Sequence, residues 1–155
     1  MRLSKNFVLS EITRSNTANR LGINNEPTKK DLENLQRIVT NILQPMRNHF
    51  GPIRISSGYR SKELNRAIGG SIKSQHCKGE ALDIQFWKDG QMYNKKIYDW
   101  IINNAIEFDQ MINEFDFSWI HISLKKSKNR REILEAYKDK EGDTKYRYAP
   151  DIITL

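Results

Sequence analysis

The chain has 155 residues and a formal charge of +7, with 37% hydrophobic and 10% aromatic side chains. That is long enough for one domain with its own core and too aromatic for a disordered polymer. No apolar run approaches the roughly 18 residues that cross a bilayer, and Met1 to Ser10 lacks the unbroken apolar centre of a signal peptide. Synthesis in the cytoplasm without a signal is therefore expected, and Cys77, the only cysteine, excludes an intrachain disulfide.

From Met1 to Pro27 the pattern is irregular and predicts an arm anchored by Phe7, Leu9, Ile12 and Leu21. Thr28 followed by Asp31 is a helix-start signal, and Leu32, Leu35, Val39, Ile42 and Met46 recur at three and four residues, the spacing of a core helix. Pro45 cannot donate back one turn, so a kink is expected before the helix ends near Gly51. Ile53 and Ile55 alternate with Arg54 and Ser56, as in a half-buried strand. Ser61 can cap a short helix closed by Gly69-Gly70, and the polar stretch from Ser71 to Gly79 reads as an exposed loop. Leu82, Ile84 and Phe86 mark a second strand, and Ile97, Trp100 and Ile101 a helix over Tyr93 to Asn104. Strands near Asp109 to Phe115 and Ser118 to Leu124 are close enough for a hairpin. Beyond them, Lys125 to Tyr148 holds nine basic and five acidic residues, a basic C-terminal extension over 125–155. The order predicts one α+β domain over 1–155, its mostly antiparallel sheet carrying helices on one face.

Side chains alternate across a strand, so Asp83 points away from Leu82, Ile84 and Phe86, and His121 away from Ile120, Ile122 and Leu124. If the two strands share a sheet, carboxylate and imidazole meet on one surface. His76 lies seven residues before Asp83 on the loop feeding that strand. Two imidazoles and one carboxylate suit zinc, with a fourth position left for water. Spacing alone is equally met by a surface His76 and a hydrogen-bonded strand His121.

The local wording narrows this. Ser74-Gln75-His76-Cys77-Lys78-Gly79-Glu80-Ala81-Leu82-Asp83 resembles the S-x-H-x-x-G-x-A-x-D signature of zinc D-alanyl-D-alanine carboxypeptidases and related peptidoglycan peptidases. Trp119-Ile120-His121 resembles their third-ligand strand, and Ser57-Gly58-Tyr59-Arg60-Ser61 their S-G-[YF]-R-S segment. Asn65, Gly69-Gly70 and Phe108-Asp109-Gln110 follow in the same order, so the resemblance spans residues 53–123.

That resemblance implies a hedgehog and D,D-peptidase type of fold, one Zn2+ per chain on His76, Asp83 and His121, and Arg60 and Ser74 as substrate contacts. A guanidinium holds a carboxylate through two hydrogen bonds, whereas the Ser74 hydroxyl can equally stabilise a turn. Many relatives carry an acid three residues before the last ligand, where this chain has Ser118. Glu114, across the hairpin, is the expected general base, as on the corresponding strand of the hedgehog domain, with Asp116 as the fallback. Cys77 and His49 are expected to be inert.

The implied activity is hydrolysis of a bond in peptidoglycan stem peptides, as carboxypeptidase or endopeptidase. The compact form resembles phage lysis enzymes or virion-associated hydrolases, which reach the wall without a signal of their own. Anionic wall polymers are natural partners of the basic extension. A zinc-stabilised binding module without turnover is the alternative on the same scaffold. Nucleic-acid binding through Tyr137, Tyr146 and Tyr148 would use the same charge, but no nucleic-acid motif accompanies them.

Overall fold

The apolar stripe beginning at Leu32 folds as one helical column. In a computed structural model describing residues 1–150, helix α3 (Lys29–Ile38) passes through a π-helical turn at Val39–Leu43 into α4 (Gln44–Phe50). Thr28 caps it by accepting from the Asp31 N–H. The turn answers the expectation of a kink: Pro45 has no N–H to return to Asn41, and the Gln44 N–H reaches back five residues to Val39. Leu35, Ile38, Val39, Ile42, Leu43 and Met46 are all buried along the column.

Before it, the arm forms α1 (Leu9–Thr13) and α2 (Asn16–Leu21). Phe7 and Ile12 are buried and Leu9 is partly so. Leu21 is 53% exposed and is no anchor, because Gly22 ends α2 in the left-handed conformation with Leu21 facing solvent in the last turn.

After the column come β1 (Arg54–Ser57), α5 (Lys62–Ala67), a 3₁₀ turn (Gln75–Lys78), β2 (Ala81–Gln85) and a small β3 (Trp87–Lys88) and β4 (Gln91–Met92) ribbon. Helix α6 (Asn94–Asn103), the β5 (Gln110–Glu114) and β6 (Trp119–Ser123) hairpin, β7 (Glu132–Lys138) and β8 (Thr144–Tyr148) complete the order. Six strands make one sheet in the order β1-β2-β6-β5-β7-β8. Every neighbouring pair is antiparallel except β5 with β7. The fold is thus α+β with a mostly antiparallel sheet, and the stretch read as a basic extension supplies its last two strands, residues 151–155 of that stretch lying outside the described part.

The two sheet faces divide the labour. Leu82, Ile84, Met111, Ile120, Ile122 and Ile133 join the helical column and α6 in one core. The opposite face carries a row in register, Asp83, His121, Ile112 and Leu134, with a second row, Trp119, Glu114, Ala136 and Tyr146, beside it. On β5 and β6 these rows are what the period of two predicts.

Candidate metal centre

His76 rides on the 3₁₀ turn, which is packed rather than exposed as its polarity suggests: His76 is 3% exposed. Ser74 caps the turn by accepting from the His76 N–H at 3.2 Å. Gly79 ends it at φ 72°, where an added Cβ would stand 2.4 Å from the Asp31 carbonyl oxygen, so helix α3 leaves no room for a side chain. The segment is held from the other side as well. Gln75 Nε2 donates to Asp109 Oδ2 at 3.1 Å, and Arg130 grips the same carboxylate through Nε and Nη2. Burial works against the Asp109 charge, yet these donors hold its carboxyl down to about 2.

The imidazole itself is oriented. His76 Nδ1 lies 2.8 Å from the Gly58 carbonyl, which can only accept, so Nδ1 carries the proton and Nε2 is free to ligate. Nε2 stands 3.4 Å from Asp83 Oδ1, and His121 Nδ1 stands 3.0 Å from the same oxygen. One ligand atom from each residue lies within 4.8 Å of the others. Burial by itself would raise the Asp83 carboxyl, but the hydrogen bond from His121, with the second imidazole beside it, outweighs burial and keeps the group well below the ordinary carboxylate range. A carboxylate kept ionised between two imidazoles is a donor set that fits a divalent cation of zinc's character, with room left on the cleft side.

The three residues sit in a cleft of about 950 Å³ whose walls include Arg60, Ser74, Glu114, Trp119, Lys138 and Tyr146. Glu114 is 8% exposed, and its carboxyl is pushed up to about 7. Burial is the main cause; His121 opposes it and the Asp83 charge adds to it. Asp116 is exposed at φ 56° in the turn after β5 and is not among the residues lining the cleft.

Arg60 bridges Ser57 Oγ (3.4 Å) and Ser74 Oγ (3.2 Å) through its two terminal nitrogens, while its Nε is buried without a partner. Ser74 therefore caps the turn and holds Arg60, besides lining the cleft. Cys77 lies outside the cleft lining and outside the cluster of ligand atoms. His49 is exposed and stacks on Trp100 at 5.8 Å.

Sequence reasoning missed the far wall, built by Leu134, Lys138, Thr144 and Tyr146 of β7 and β8. The signal was Glu141-Gly142-Asp143, a turn between two segments rich in β-formers. The three tyrosines grouped for nucleic-acid stacking do not share a surface: Tyr146 pairs with Ala136 and Tyr137 with Lys145, so Tyr137 projects from the opposite face.

Among curated proteins none matches the chain. The family described as peptidase M15 matches over residues 5–123, from the arm through the end of β6. That span contains all three ligand candidates together with Arg60 and Glu114, and the chain belongs to the peptidase M15 family of metallopeptidases.

Proposed function

We propose that the protein is a zinc peptidase that hydrolyses a bond in peptidoglycan stem peptides, with one zinc on His76, Asp83 and His121. The observation that carries this reading is the convergence of the three ligand atoms within 4.8 Å on the face that also bears Glu114. When bound there, zinc supplies Lewis acidity, polarising the scissile carbonyl and acidifying the attacking water.

The side chains do the rest. Glu114, poised near neutrality by its burial, takes the proton of the attacking water and returns it to the leaving amine. Arg60 binds a carboxylate or carbonyl of the peptide and fixes its register against the ligands, with Ser74 holding the guanidinium in place. Gly58 and the Gln75–Asp109 link keep His76 from turning.

No helix among the described residues is long and apolar enough to cross a membrane. Delivery to the wall by phage-assisted release or as part of a virion fits this reading, and the positive charge favours approach to anionic wall polymers. Digestion of purified peptidoglycan by zinc-loaded protein, followed by mass spectrometry of the fragments, identifies the bond. Stoichiometric zinc with intact wall would replace the proposal with a non-catalytic zinc module.

A further inference from the structure

Arg60 stands on the border between the cleft over the ligand residues and a second cavity. That cavity, of about 570 Å³, lies between the arm and β1, with Glu11, Arg14, Arg54 and Tyr59 in its lining. Arg60 and Ile68 line both cavities, so a second trough borders the first at Arg60.

The trough is electropositive. Arg14, Arg54 and Arg60 face one acid, Glu11, whose Oε2 is already engaged by the Val8 N–H at 3.0 Å. Among the described residues Arg14 and Arg54 form no ion pair, unlike Arg130 and Arg147 at the other end of the sheet. Between the two cavities, the buried Nε of Arg60 is a donor without an acceptor. A buried donor left unpaired is costly.

We infer that this second cavity is a subsite for a carboxylate-bearing segment of a peptide that runs on past Arg60, and that the bond presented to His76, Asp83 and His121 is an interior one. This rests on the peptidase reading and narrows it to an endopeptidase of acidic peptides. A carboxypeptidase seats the terminal carboxylate at a blocked end; a guanidinium on the border of two cavities holds a group partway along a chain.

The test uses zinc-loaded full-length protein and an acidic stem-type peptide in three forms: with a free C-terminus, with that terminus amidated, and with its interior carboxylates amidated. Products are read by mass spectrometry. The first two forms should be cut at the same interior bond with kcat/KM within about threefold of each other. The third should show a KM about tenfold higher, and Arg14→Ala with Arg54→Ala should bring that ratio close to one. Arg54→Gln alone carries the same comparison if the double variant does not fold.

Release of only the terminal residue, with the C-terminal amide resistant, overturns the inference and leaves the peptidase reading standing. Failure to cut any form with zinc bound overturns both. Persistence of the tenfold ratio in the arginine variants overturns the subsite.

Discussion

Glu114 is a carboxyl that burial keeps from ionising until about pH 7, where an ordinary glutamate loses its proton near 4.5. For catalysis, a base of that strength is matched to neutral conditions. Glu114→Gln keeps the shape and removes the base, so zinc content should persist while kcat falls by roughly a hundredfold or more. Asp116→Asn, at an exposed turn position, should stay within about twofold of the parent; the reverse pattern would move the base into the turn. The same carboxyl has a cost for the fold. Its pKa is raised on folding, so its favourable contribution is complete below about pH 4.5 and is lost as the pH rises through about 7. In chelator, the melting temperature of the parent relative to Glu114→Gln should therefore fall across that window. A constant difference from pH 4.5 to 7.5 would mean that the carboxyl is better hydrated than its surroundings indicate.

Between elements, α1 meets the end of β1 in a tight joint. An added Cβ on Gly58 would stand 2.2 Å from the Ile12 carbonyl oxygen, which also accepts the Tyr59 N–H at 2.9 Å. Gly58→Ala must push the two apart, at a cost of roughly 1–3 kcal/mol or a drop in Tm of several degrees. Because the Gly58 carbonyl orients His76, zinc affinity should weaken too; a stable variant with undiminished zinc affinity would separate the joint from the ligand. Strands β2 and β6 were legible in the sequence because each keeps one apolar face, which alone put Asp83 and His121 on the same side. Strands β7 and β8 were not. Ile133, Leu134 and Ala136 do not keep to one face, and β7 pairs parallel to β5 across a connection that no local turn announces. Lys138, Thr144 and Tyr146 were hidden with them. The packed turn around His76 was obscured differently: its residues are polar, and only Gly79 against α3 betrays the close approach.

For the whole molecule, the ligand candidates come from three separate segments, the 3₁₀ turn, β2 and β6. A metal that joins them binds the folded chain and not the unfolded one, so chelation should lower Tm, by an amount that grows with the zinc concentration it removes. An unchanged melting curve would show that packing alone sets the stability. The same linkage reaches the arm. Ile12 closes on Gly58, Gly58 holds His76, and Asn25 pins the following segment by accepting from the Ser61 N–H and donating to the Tyr59 carbonyl. Lifting the arm therefore releases His76, and reciprocity requires that whatever grips His76 also keeps the arm down. Trypsin offers a direct reading, because Arg20 lies exposed in the arm while Lys126 and Lys128 lie exposed after β6. Zinc should slow cleavage after Arg20 by about tenfold and leave the two lysines as susceptible as before; equal protection at all three would point to general stiffening instead. The metal would then act as a lock on the arm, and a chain that has lost its zinc would be open to proteolysis there first.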